Sequence, residues 1–144
     1  MDFFTKEQEA QVVDAIVQAE VQTSGEIRVH IEEKTGKFSP YDRAVAVFEK
    51  LNMHKTEARN GILFYVATKD HAFSLIGDIG IHQKVGASFW EEVKNHVLEE
   101  FAKGDFSEGL CRGIAEAGEQ LKAHFPYQSN DVNELPDDIS KGNI

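Results

Sequence analysis

The sequence predicts an α/β domain: an αβα sandwich in which a small mixed sheet of three to four strands carries helices on both faces. Three observations predict it. Apolar residues recur with helical period in some stretches and with strand period in others, in the order α-β-α-β-β-α-α. A helical stretch separates the first two strand segments, which suits a parallel, right-handed crossover. A four-residue turn, Thr68-Lys69-Asp70-His71, joins the second strand to the third, which makes that pair antiparallel.

The first helix runs from Thr5 to about Gln22. Thr5 and Gln8 make a capping box, and Val12, Val13, Ile16, Val17 and Val21 form one apolar face. Thr23-Ser24-Gly25 breaks it. Glu26 to Glu33 reads as a strand, with Ile27, Val29 and Ile31 pointing one way and Arg28, His30 and Glu32 the other. That alternation predicts a strand at an edge or covered on one face only. A loop over 34–39 leads to a helix capped by Ser39, with Pro40 at its first position and Ala44, Val45, Val47, Phe48 and Leu51 along it.

Residues 53–60 form a polar loop. Gly61 to Ala67 is apolar almost throughout, as in a central strand covered on both faces. Ala72 to Gly77 is the third strand, and 78–86 is a glycine-spaced loop with room for one helical turn. The helix over 87–103 turns Trp90, Val93, Val97, Leu98 and Phe101 inward and ends at Gly104. The last helix, 106–124, turns Leu110, Ile114, Ala117, Gly118 and Leu121 inward before Phe125-Pro126 stops it. The domain is expected over 1–126. Residues 127–144 hold four acids and one lysine and read as a loosely attached acidic tail.

Chain direction then places a candidate site. With the first two strands parallel, Glu26 at the start of one, Asn60 at the start of the next and Asp78 at the end of the third share one edge of the sheet. Oxygen donors in glycine-containing loops suit a hard cation such as calcium. The same residues also serve turns: Asp78 can cap the short turn after Gly77, Asn60 can hold a turn, and Glu26 can sit in solvent. Asp105 and Glu108 match a helix cap with an acid three positions on.

Composition narrows the function classes. The 144 residues fit one domain, and 41% hydrophobic content suffices for a core. Fifteen basic against 25 acidic residues give a net charge of −10, which repels nucleic-acid phosphates and anionic lipid. The reading is therefore of a protein with no nucleic-acid or membrane partner, and a monomer is expected. Cys111 stands alone, the start is charged, and no run approaches the ~18 apolar residues of a membrane span. These features point to the cytoplasm.

Other chemistries lack their motifs. The six histidines show no zinc spacing, and there is no P-loop, GxSxG or dinucleotide fingerprint. Asp105, Ser107 and Glu116 fall at EF-hand spacing, but Leu110 stands where that loop needs glycine. Cys111 reads as an inert core thiol.

Several segments resemble the TPM domain family: Thr23-Ser24-Gly25-Glu26-Ile27-Arg28-Val29, Arg59-Asn60-Gly61-Ile62-Leu63, Ile76-Gly77-Asp78, Gly104-Asp105-Phe106 and Gly109-Leu110. Gly80-Ile81-His82, Phe89-Trp90, His124-Phe125-Pro126 and Asn133-Glu134-Leu135-Pro136-Asp137 are similar to a short bacterial branch of it. The similarity runs from about residue 5 to 126. It implies a sheet of about four strands, so a further short strand is expected in 34–40 or in the tail. It also implies divalent-metal sites in loops at one sheet edge, with Glu26, Asn60, Asp78, Asp105 and Glu108 as ligands and Glu57 in reserve. Calcium is the expected metal, with magnesium the alternative. The resemblance further implies acid phosphatase activity, attributed to a plant thylakoid relative, yet no nucleophile with a paired base is evident here. A protein-interaction domain that docks through its acidic tail is the third reading.

Overall fold

A computed structural model describes residues 3–127, 137–142 and 144. The helices are α1 (Lys6–Glu20), α2 (Pro40–Lys50), α3 (Ile79–Val85), α4 (Ala87–Ala102) and α5 (Phe106–His124). The strands are β1 (Glu26–Glu32), β2 (Gly61–Ala67), β3 (Ala72–Gly77) and β4 (Ile139–Lys141), in the order β3-β2-β1-β4. β1 runs parallel to β2 and to β4, and β2 runs antiparallel to β3. The α/β class, the parallel pairing of β1 with β2 and the antiparallel hairpin are as the sequence predicts.

Local chemistry accounts for the helix ends. The Gln8 backbone N–H donates to Thr5 Oγ1 at 3.1 Å, and the Thr5 N–H donates to Gln8 Oε1 at 2.9 Å, closing the capping box. Ser39 Oγ accepts from the Asp42 N–H at 3.2 Å, with Pro40 opening α2. Gly104, at φ +84°, takes the left-handed turn after α4.

The sheet divides the core. Ile27, Val29, Ile31, Ile62, Phe64 and Val66 face α1, α4 and α5. Leu63, Tyr65 and Ala67 face α2 through Ala44, Val47 and Phe48. The two faces thus take alternate residues of β1 and β2, as strand geometry requires.

Four expectations are corrected. β1 is neither an edge strand nor one-sided: all seven of its residues are buried. Its polar alternates are covered because each finds a polar partner, as described below. The acidic tail is not loose at its end, since β4 pairs with β1 and buries Ile139. The hidden fourth strand is therefore in the tail, not in 34–40; residues 128–136 of that tail lie outside the described residues. The loop after Asp78 is a seven-residue helix, α3. Val21 and Leu98, expected inward, are exposed, because each lies off the buried arc of its helix.

Candidate functional site

The sheet edge at the start of β1 assembles as chain direction requires. Glu26 pairs in register with Gly61, and its N–H points to the Asn60 carbonyl at 3.5 Å. The Asp78 N–H donates to the Gly61 carbonyl at 2.9 Å. Glu26, Asn60 and Asp78 thus meet across three adjacent strands, and all three are buried. Asn60 is 1% exposed, and neither its Oδ1 nor its Nδ2 has a hydrogen-bond partner among the described residues.

Asp78 is engaged twice. Its Oδ1 accepts from the Ile79 N–H at 2.8 Å, capping α3. Its carboxylate also takes a two-point clasp from Arg59, Nε to Oδ2 at 2.7 Å and Nη2 to Oδ1 at 2.8 Å. The hydrogen bonds and charge of Asp78 raise the Arg59 pKa further above its ordinary value. Arg59 sits at φ +53°, and its carbonyl accepts from the Gly80 N–H at 2.8 Å. The sequence leaves this arginine unplaced, because its position depends on how the loop over 53–60 meets the start of α3.

More acid gathers beside this edge. Glu20, at the end of α1, accepts the Ile27 N–H at 2.7 Å. Burial, a hydrogen bond with Asp137 and the negative charges of Glu26 and Asp137 raise its pKa to about 10. Neither Glu20 nor Asp137 carries a local sequence signal, since tertiary folding alone brings α1 and the tail together. Glu57 lies exposed in the loop before Asn60.

Asp105 and Glu108 are elsewhere. Helix α5 brings its C-terminal end to the start of β1, where Leu121 lies under Gly25 and its carbonyl accepts from Thr23 Oγ1 at 3.0 Å. At its other end Phe106 packs on Phe101, and Phe101 on Phe73, which pairs with Val66 near the end of β2. Asp105 and Glu108 therefore lie exposed toward the opposite end of the sheet, and the structure does not bring them to Glu26, Asn60 and Asp78. Asp105 opens α5 without the expected side-chain capping bond. Among the described residues, no group of three or more His, Cys, Asp or Glu side chains forms a ready metal centre.

A second polar cluster lies on the α2 face of β1. Glu32 takes a two-point clasp from Arg43 at 2.8 Å for both bonds, and Tyr65 Oη donates to the same carboxylate. His30 Nδ1 meets Ser140 Oγ at 2.9 Å, and its Nε2 lies 3.5 Å from Glu32. Burial opposes ionisation of Glu32, but the bonds from Arg43 and Tyr65 outweigh it and hold its pKa below the ordinary value. Burial lowers the His30 pKa, so the ring is neutral. The alternation of Arg28, His30 and Glu32 is the signal for this cluster, but it reads equally well as a solvent face.

Comparison with known proteins fits this architecture. The family described as TPM domain matches residues 1–120. The NMR structure of the BA42 protein from the psychrophilic bacterium Bizionia argentinensis is 45% identical, with a TM-score of 0.91, covering 98% of this chain and 97% of that one. The N-terminal domain of a P. gingivalis protein has a TM-score of 0.70 at 15% identity, covering 87% of this chain and 82% of that chain. The N-terminal domain of the cg2496 protein from Corynebacterium glutamicum has a TM-score of 0.68 at 9% identity, covering 90% and 80%. These last two share the fold. Among curated proteins none matches this sequence. The family match and the likeness to BA42 lead to one conclusion: the chain belongs to the TPM domain family.

Proposed function

We propose that this domain binds a divalent cation, calcium before magnesium, at the sheet edge built by Glu26, Asn60 and Asp78. The observation that carries the reading is Asn60, whose buried amide has no protein partner at either atom among the described residues. Leaving such a group unpaired costs roughly 1–3 kcal/mol, which a ligand at Oδ1 would offset. Glu26 and Asp78 flank the next residue, Gly61, on the neighbouring strands, and the Glu26 N–H points to the Asn60 carbonyl. A set of carboxylate and amide oxygens, without thiolate or clustered imidazole, suits calcium or magnesium rather than zinc.

The fit is partial in an informative way. Arg59 already neutralises Asp78, so Asp78 must exchange a guanidinium for the cation. That exchange would release Arg59 and the loop it anchors, which makes the domain metal-responsive. Asp105 and Glu108 take no part in this site. The phosphatase reading has less support. Burial and the charges of Glu108 and Asp14 push the Cys111 thiol up to about 11, so it is no nucleophile at neutral pH. We expect weak turnover or none on a generic phosphate ester. Efficient hydrolysis that is lost in Asp78→Asn would overturn that expectation.

Thermal melting tests the site. Calcium at a hundredfold excess over its Kd should add about 2.7 kcal/mol of stability and raise Tm by several degrees over chelator. Asp78→Ala should remove most of that increase. Asn60→Ala should remove it too, with little loss of stability in chelator, since its side chain has no hydrogen bond among the described residues. Matching melting curves in millimolar calcium and in chelator would sink the proposal.

A further inference from the structure

A cleft of about 690 Å³ opens at the other end of the sheet, outside the carboxyl ends of the parallel strands β1 and β4. Open α/β sheets commonly hold ligands at that end of their strands, and the volume falls within the range of small-molecule sites. We infer that this cleft binds a small molecule carrying one anionic group on an apolar body.

Charge decides the sign of the ligand. The chain as a whole is at −10, yet the cleft is lined by four cations and three acids. Each acid already has a cation: Glu32 holds Arg43 at 2.8 Å, Glu9 holds Lys141 at 2.9 Å, and Glu33 holds Lys69 at 2.9 Å. Lys34 and Lys37 are exposed and form no salt bridge among the described residues. They are the cations left to meet an anion.

The loop that carries them is held in place. The Thr35 N–H and Oγ1 both donate to Asp70 Oδ2, at 2.8 and 3.2 Å, and Gly36 turns the chain at φ +71°. A pinned loop loses little freedom on binding. The apolar body has its own wall. Phe38 stands 52% exposed on the same loop, and Phe3 and Phe4 line the cleft, with the Phe3 ring packed against Phe106 at 5.0 Å. An exposed phenylalanine beside two lysines suits a ligand with both characters. At the floor, Arg43 and Glu32 satisfy each other, so that buried charge needs no ligand.

A matched set of probes tests this: 6-phenylhexanoate, 6-phenylhexan-1-ol and 6-phenylhexylamine, titrated into the full chain and followed by amide NMR and calorimetry. The carboxylate should bind saturably, about tenfold tighter than the alcohol, with the amine weakest. Shifts should centre on 34–38 and 141–142. The double variant Lys34→Glu, Lys37→Glu should weaken the carboxylate about tenfold, and Phe38→Ala should weaken the carboxylate and the alcohol alike. These side chains are exposed, so circular dichroism should confirm that the variants fold. Equal affinity for the three probes, shifts centred elsewhere, or no saturation up to about 5 mM would overturn the inference.

Discussion

At the end of α1, Glu20 carries a proton at neutral pH, because burial and two neighbouring acids oppose its ionisation. The sign of the consequence is fixed. Unfolded, the carboxyl ionises near 4.5; folded, near 10. Folding therefore takes up a proton between those values, and stability falls as pH rises through the interval. Glu20→Gln copies the protonated form and should stabilise the protein more at about pH 9 than at about pH 5, as measured by melting in chelator. An equal effect at both would show that the carboxyl is ionised in the folded chain. Glu26, Asn60 and Asp78 were legible as neighbours because strand direction alone brings them together. Arg59 and Glu20 were not, because an ion pair across a loop and a carboxyl reaching a strand six residues away leave no local pattern.

At the scale of elements, α3 shows how tightly the edge is built. A Cβ on Gly80 would lie 2.2 Å from the Ala58 carbonyl oxygen and 2.5 Å from that of Arg59. Both obstacles are backbone, so the loop must move. Gly80→Ala should destabilise the fold by about 1–3 kcal/mol in urea denaturation. It should also shift the amide signals of Arg59 and Asp78; unchanged stability and spectra would mean that the loop is not packed on α3. This helix escaped a periodicity reading because seven residues hold barely two turns, and its glycine suggests a loop. β4 escaped for a related reason. Three residues are too few for a pattern, and the strand is selected by the open edge of β1 rather than by its own propensity.

Across the whole molecule, the edge at Glu26, Asn60 and Asp78, where we propose the cation, and the cleft lie at opposite ends of the sheet, separated by the length of β1. Sites that far apart with no shared partner should act additively. Lys34→Glu with Lys37→Glu should leave the calcium-dependent rise in Tm unchanged. Asp78→Ala should likewise leave the Kd for 6-phenylhexanoate unchanged. Mutual effects beyond about threefold would show that the sheet couples its two ends. No helix among the described residues is long and apolar enough to cross a membrane.

The sequence by itself determined the α/β class, the parallel and antiparallel pairings, and the edge shared by Glu26, Asn60 and Asp78. Apolar periodicity and connection length are local properties that suffice for those. Only the tertiary structure decided that the polar face of β1 is buried, since Arg28, His30 and Glu32 look the same in sequence whether water or Asp138, Ser140 and Arg43 receive them. It also separated Asp105 and Glu108 from the edge, because the direction of α5 against the sheet is set by packing. Gly25 under Leu121 and Gly113 against Phe64 admit the helix in that orientation, and those contacts span the chain.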